Sequence, residues 1–216
     1  MRLRVLFDNR AMEGFKADWG FSCLIGDQVL FDTGANLSIL LHNINRLEVD
    51  IKKIHTLALS HNHRDHAGGI GILEKLGEVK VYLPSSFSRS LKKNIASFSN
   101  TEIVEISGSQ RIADRVHTTG ELGSGTKEQS LVVEGDDGWT LVTGCAHPGL
   151  ETILEKAEEF GKIHCVLGGF HGFSRLYALE HISLIIPCHC TSKKKEIHEL
   201  YKLSSKRCGA GLDIEV

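Results

Sequence analysis

Ser60-His61-Asn62-His63-Arg64-Asp65-His66-Ala67-Gly68-Gly69 places four potential metal ligands within six residues, directly after the apolar run Thr56-Leu57-Ala58-Leu59. A strand that ends at a sheet edge hands its next residues to a tight turn, and a turn can aim several side chains at one point. Neutral imidazole nitrogens and a carboxylate oxygen are donors suited to zinc or another borderline transition metal. Helical spacing would set His61 and Asp65 on one face and turn His63 away. The stretch therefore reads as a loop, with Gly68-Gly69 letting the backbone leave it for the next helix.

Three later strand-like runs also stop at a histidine: Thr143-Gly144-Cys145-Ala146-His147-Pro148-Gly149, Gly168-Gly169-Phe170-His171-Gly172 and Pro187-Cys188-His189-Cys190-Thr191. A single histidine at a strand end is more often structural. Three of them, on strands ending along one sheet edge, supply the further donors that His61, His63, Asp65 and His66 need to complete a site. Cys145, two residues before His147, points the same way along the strand and is a candidate to line that site. Cys188 and Cys190 flank His189 and point away from it, which favours packing.

Working outward, the rest of the chain alternates between strand and helix signals. Leu37, Leu40, Leu41, Ile44 and Leu47 recur at helical spacing, so 36–47 reads as an amphipathic helix on a sheet. Ile70, Leu73 and Leu76 mark a short helix, and Phe87, Leu91, Ile95 and Phe98 another. Gly135-Asp136-Asp137-Gly138 between two apolar runs is a hairpin signal. Ile153, Leu154, Ala157 and Phe160 face one side of a helix that Gly161 ends, and a last helix is expected over about 192–204. The unbroken alternation reads as one α/β domain over residues 1–216. Loops 10–19 and 120–129 are expected to wall the cleft.

Composition narrows the function classes. Hydrophobic residues make up 41% and charged residues 24%, as in an ordinary globular protein, and the net charge of −2 gives no footprint for nucleic acid or a membrane surface. No apolar run approaches the length of a membrane span. The first residues read as a strand, not an export signal, so the six scattered cysteines are expected to be reduced and the protein cytoplasmic.

His61-x-His63-x-Asp65-His66, preceded by Phe31-Asp32-Thr33-Gly34 and followed by His147 and His189, resembles the metallo-β-lactamase superfamily from about Arg4 to Leu203. The resemblance implies a four-layer αββα sandwich with one or two divalent metal ions at one edge. Zinc is the first expectation, with manganese, iron or magnesium as alternatives. It implies that His61, His63 and His147 hold one metal, that Asp65, His66 and His189 hold a second, and that Asp32 steadies the histidine loop from behind. One feature departs from the pattern. Dinuclear members carry a bridging acid at the end of the strand after the third motif, whereas Val166-Leu167-Gly168-Gly169-Phe170-His171 has none. His171 stands at or beside that position, as a metal ligand or as an acid–base group.

The wording of the three later motifs is similar to the 7,8-dihydropterin-6-methyl-4-(β-D-ribofuranosyl)aminobenzene 5′-phosphate synthase branch. That resemblance implies transfer of a dihydropterin methylene to a phosphorylated ribosyl-aminobenzene, with loss of diphosphate; Asp65, as ligand or proton acceptor, and His171, as general acid–base group, are the candidate catalytic residues. Hydrolysis of a small phosphodiester, lactone or related ester is the alternative, and a non-catalytic metal- or pterin-binding module a third reading. Lys193-Lys194-Lys195 adds a phosphate hypothesis. If Thr191 or Ser192 caps the last helix, the lysines occupy its first turn, where the macrodipole disfavours cations, and such a conflict marks a candidate substrate-phosphate site. A solvated charge run is the competing reading of the three.

Overall fold

A computed structural model describes residues 1–216. Six strands come first: β1 (Arg2–Phe7), β2 (Ser22–Ile25), β3 (Val29–Phe31), β4 (Thr56–Ala58), β5 (Val79–Pro84) and β6 (Thr101–Ile106). Six more follow: β7 (Gln110–Ala113), β8 (Val116–Thr118), β9 (Leu131–Glu134), β10 (Trp139–Thr143), β11 (Ile163–Gly169) and β12 (Leu184–Cys188), and β13 (Asp213–Glu215) closes the chain. They form a sheet ordered β13-β1-β2-β3-β4-β5-β6 and a second ordered β12-β11-β10-β9-β8-β7. The sheets share a dry interior that includes Phe21, Phe31, Leu131, Val133, Leu167 and Ile186. Residues such as β2's Ser22–Ile25 are buried throughout because both faces of the strand are covered.

Helix α1 (Leu37–Arg46) starts where the Asn36 side chain accepts hydrogen bonds from the amides of Ser38 and Ile39, and it buries Leu40 and Ile44. It covers the outer face of the first sheet together with a 3-10 segment, Ile70–Lys75, and α3 (Arg89–Ile95). On the outer face of the second sheet lie α4 (Leu150–Glu158) and α5 (Lys194–Leu200). The layers are therefore helix, sheet, sheet, helix, the expected αββα sandwich. The Gly135–Gly138 turn joins β9 to β10 antiparallel, as its sequence predicts.

Four local expectations need correction. Only His61–His63 is loop, because Arg64–Ala67 closes a single helical turn, α2, which carries Asp65 and His66. Neither Gly68 nor Gly69 uses left-handed backbone; each allows close approach instead. A Cβ on Gly68 would lie 2.6 Å from the Ala35 carbonyl oxygen, and one on Gly69 would lie 2.3 Å from that of Thr33. The last helix is only Lys194–Leu200. Neither Thr191 nor Ser192 caps it, since the Thr191 hydroxyl donates to the Cys188 carbonyl and accepts from the Phe170 amide. Finally, Cys188 and Cys208 are joined in a disulfide rather than reduced. The segment after α5 runs back along β12 and brings their Cα atoms to 5.2 Å, within disulfide range.

Gly69 makes a direct check on this packing. The Gly69→Ala protein is expected to lose about 2–3 kcal/mol, because the new methyl meets backbone that cannot rotate away. A lower urea midpoint at unchanged slope would show it, whereas an unchanged midpoint would mean that the loop is not seated against Thr33.

Candidate metal centre

Strands β3 and β4 run parallel, as do β10, β11 and β12, so their C-terminal ends collect at the sandwich edge. His61 follows β4, His147 follows β10, His171 follows β11 and His189 follows β12. Their rings form a continuous cluster. His61 lies 4.6 Å from His63, 4.2 Å from His66 and 4.5 Å from His147, ring centre to ring centre. His66 to His189 and His147 to His171 are each 5.0 Å. Asp32, Ala146, His171 and His189 all have left-handed backbone, with φ of 56°, 57°, 43° and 41°. Four non-glycine residues in this sparsely populated region, all at strand ends around one point, mark where the chain is bent to aim its side chains.

The imidazoles are held from behind. His66 Nδ1 is 2.6 Å from Asp32 Oδ2, His147 Nδ1 is 2.9 Å from Glu128 Oε2, and His189 Nδ1 is 2.8 Å from Asn9 Oδ1. Ser60 Oγ donates to Asp32 Oδ2 and so accepts from His61 Nδ1 at 2.8 Å. With each Nδ1 hydrogen given to these acceptors, Nε2 of all four rings presents a lone pair inward. His61 Nε2 is 3.0 Å from His63 Nδ1, His66 Nε2 is 3.2 Å from Cys145 Sγ, and His189 Nε2 is 3.1 Å from Asp65 Oδ2. Inward nitrogen lone pairs set beside the Asp65 carboxylate and the Cys145 sulfur are groups that a single cation among them would bind together. This donor set fits divalent metal.

Two groups of donor atoms, each within 4.8 Å of one another, share one member: Asp65, His66, Cys145 and His189 form the first, and His61, Cys145 and His147 the second. Cys145 thus stands between them, and His63 extends the second group through its contact with His61. His171 lies outside both. It is exposed beside His147, in a cavity of about 320 Å³ that also includes Glu151 and Arg175. The lysines diverge. Lys194 Nζ donates to the His189 carbonyl, Lys195 pairs with Glu199 at the surface, and Lys193 sits at the start of α5.

Burial is the main influence on the charges. It lowers His61 and His66 to about 3, with neighbouring imidazoles adding to the effect. Burial would raise Glu128, but the His147 hydrogen bond, His61 and the amides of His147 and Cys145 hold it at about 2. Burial likewise works to raise Asp65, and the closeness of His189 and His66 holds it well below the usual range. Burial pushes the Asp32 carboxyl up to about 8, against the pull of His61 and the Ser60 donors.

The metal-stripped protein should accordingly lose stability in acid. Across their 2.6 Å contact Asp32 and His66 hold one proton as a pair. Between pH 3.8, the ordinary aspartate value, and 6.5, the ordinary histidine value, the unfolded pair also holds one, so it cancels. His61 does not cancel: unfolded, it protonates below 6.5, while folded it resists until about 3. Its stabilisation is full above pH 6.5 and is lost as pH falls toward 3, by about 1.4 kcal/mol per pH unit. Urea midpoints from pH 7 to 4 measure this, and a flat profile would contradict it.

Besides Ser60, sequence reasoning left three residues of the site unassigned. Glu128, fully buried, accepts from the amides of Cys145, Ala146 and His147 as well as from the His147 ring. Loop 120–129 thus contributes a support beneath the site. Asn9 clamps His189 through both its ring and its carbonyl. Trp19, at the end of loop 10–19, donates from Nε1 to Asp65 Oδ2 at 3.0 Å. Only Trp19 had a usable sequence signal, an isolated tryptophan in a polar loop.

An αββα sandwich with a histidine- and aspartate-rich donor cluster at its strand edge defines a class of metal-dependent proteins. Residues 24–184 match the metallo-beta-lactamase superfamily model, and the chain belongs to that superfamily. Among individual proteins, it is 25% identical to 7,8-dihydropterin-6-methyl-4-(beta-D-ribofuranosyl)-aminobenzene-5′-phosphate synthase of Methanocaldococcus jannaschii, over 87% of this chain and 84% of that one. The crystal structure of Tm1679, a metal-dependent hydrolase of the beta-lactamase superfamily, superposes with a TM-score of 0.81 at 29% identity, covering 100% of this chain and 99% of the other. The metallo-beta-lactamase fold protein YhfI from Bacillus subtilis superposes with a TM-score of 0.72 at 12% identity, over 100% and 99% of the two chains, and speaks to the fold alone.

Proposed function

We propose that this protein is a two-metal enzyme that joins a dihydropterin methylene to a phosphorylated ribosyl-aminobenzene with loss of diphosphate. The observation that carries the metal part is the pair of donor groups meeting at Cys145. His61, His63 and His147 would hold one ion and Asp65, His66 and His189 the other, with the Cys145 sulfur occupying the shared position in place of an acid. Zinc suits a set of imidazoles, one carboxylate and one thiolate. Divalent cations there would supply Lewis acidity toward a phosphoryl or carbonyl oxygen and toward water.

The chain's own residues do the rest. Asp32, Glu128, Ser60 and Asn9 fix the ring orientations, which keeps the donors from having to reorganise as charge develops. In the transfer, the arylamine nitrogen bonds to the pterin methylene, the methylene–oxygen bond breaks, and diphosphate leaves with that electron pair. The N–H proton lost from the arylamine needs an acceptor, and His171, exposed beside His147, is placed to take it. The choice of this reaction rests on the likeness to the synthase. A second reading, hydrolysis of a small phosphodiester or lactone, is favoured by the likeness to Tm1679 along the full chain.

One pair of assays separates them. Zinc-loaded protein is incubated with dihydropterin methyl diphosphate and ribosyl-aminobenzene phosphate, together and singly, and in parallel with bis(4-nitrophenyl) phosphate and an acyl lactone. Diphosphate release that requires both partners supports transfer. Nitrophenolate or opened lactone without it supports hydrolysis, and no product from any mixture contradicts both.

A further inference from the structure

Beside Asp65 the surface opens into a cavity of about 370 Å³, lined by Asp18, Trp19, Ala35, Asn36, Arg64 and Asp65. Trp19 is 58% exposed, an unusual state for the largest apolar side chain, yet it is not loose. Its Nε1 donates to Asp65 Oδ2, and its ring stands at 61° to the His189 ring at 4.9 Å. The loop that carries it is pinned at both ends. Asn43, buried in α1, accepts from the Lys16 amide and donates to the carbonyls of Lys16 and Leu6. Gly20 follows with φ of 145°, where a Cβ would lie 2.4 Å from the Asp65 carbonyl oxygen. A rigid, exposed indole held against the donor cluster stabilises nothing obvious in the folded chain. It does offer a preordered flat face, at little entropic cost, to whatever enters the cavity.

Arg64, exposed and outside every ion pair of the chain, lines the same cavity with a second flat group that stacks on aromatic rings. The remaining charged groups are acceptors. Asp18 Oδ1 takes the Trp19 amide and leaves Oδ2 free, while the Asn36 oxygen is engaged in capping α1. We propose that this cavity is the subsite for a planar heteroaromatic ring with N–H donors on its edge, with Trp19 as the stacking platform and Asp18 as the acceptor for that edge. It deepens the reading given above by placing the pterin-like part of the substrate on the Asp65 side of the centre, away from His171.

The test is binding, not turnover, so it stands apart from whether the protein condenses or hydrolyses anything. Zinc-loaded protein is titrated by calorimetry with pterin (2-amino-4-oxopteridine) and with lumazine, the same bicycle with the amino donor replaced by a carbonyl. Pterin is expected to bind at least about fivefold more tightly than lumazine, and Trp19→Leu to weaken pterin about tenfold, in line with a single ring stack. Asp18→Asn should narrow the pterin–lumazine difference. Trp19→Phe keeps a ring face but loses the Nε1 hydrogen bond to Asp65. Its recovery of most of the affinity would assign the effect to stacking rather than to the placement of Asp65. The chain has two tryptophans, and Trp139 lies in a separate cluster with His117 and Phe160. In a Trp139→Phe background, quenching by pterin therefore reports Trp19 alone. No pterin binding, or binding unchanged in Trp19→Leu, would overturn the subsite. If pterin binds through Trp19 but diphosphate is never released, the subsite stands and the transfer reading fails.

Discussion

The His61→Ala protein is expected to lose its metal in the second donor group, that of His61 and His147, and to lose turnover by about 10³-fold, the consequence of removing several kcal/mol of Lewis-acid stabilisation. His61 is in contact with His63, His66 and His147 at once. It is fully buried, so no other side chain or bulk water can take over its position without rearrangement. Metal content is the primary readout, because it does not depend on which substrate is correct. A variant that retains both ions at wild-type affinity would show that His61 is a packed core histidine and not a donor.

The second large effect is expected at Glu128, which touches no inward-facing lone pair. Its carboxylate accepts four hydrogen bonds, three from consecutive amides and one from the His147 ring. In Glu128→Gln one of the two oxygens becomes an NH₂ group facing donors, so at least one buried amide or the imidazole is left without an acceptor. The folded state should lose about 3 kcal/mol, and the affinity of the His147 group for metal should fall about 10–100-fold as the ring loses its fixed tautomer. Chemical denaturation and competition with a zinc indicator read the two effects separately. Lost stability with unchanged metal affinity would make Glu128 a structural clamp only.

These two residues differ in how they could be read from the chain. His61 belongs to a spacing that serves little purpose outside a metal site, and the strand ends at His147, His171 and His189 were legible because each apolar run stops at a histidine. The alternating runs, with the amphipathic 36–47 segment, read as an α/β domain, and the αββα layering came from the resemblance to the superfamily. Glu128 stands between a polar loop and the buried strand beginning at Leu131, in a setting identical to that of a solvated glutamate. Only the tertiary fold, which turns the loop under Cys145–His147, makes it an acceptor. Asn9 and Trp19 are of the same kind, side chains from a loop that reaches the site because Asn43 and Gly20 seat it. The Arg64–Ala67 turn was hidden because one helical turn has no periodicity to detect. The last helix was overestimated because nothing in Thr191 or Ser192 tells a cap from a turn hydroxyl. The Cys188–Cys208 bond depends on how the segment after α5 folds back, and β13 on its pairing with β1 from the other end of the chain.

The most direct test is the number of zinc ions per chain in metal-replete protein, counted by native mass spectrometry alongside His66→Ala. Two ions in the parent protein and one in the variant are expected, because in the proposed division His66 holds one ion with Asp65 and His189, while His61, His63 and His147 hold the other. No tightly held ion in the parent protein would contradict the metal centre itself, and two ions in His66→Ala would contradict the division of its donors.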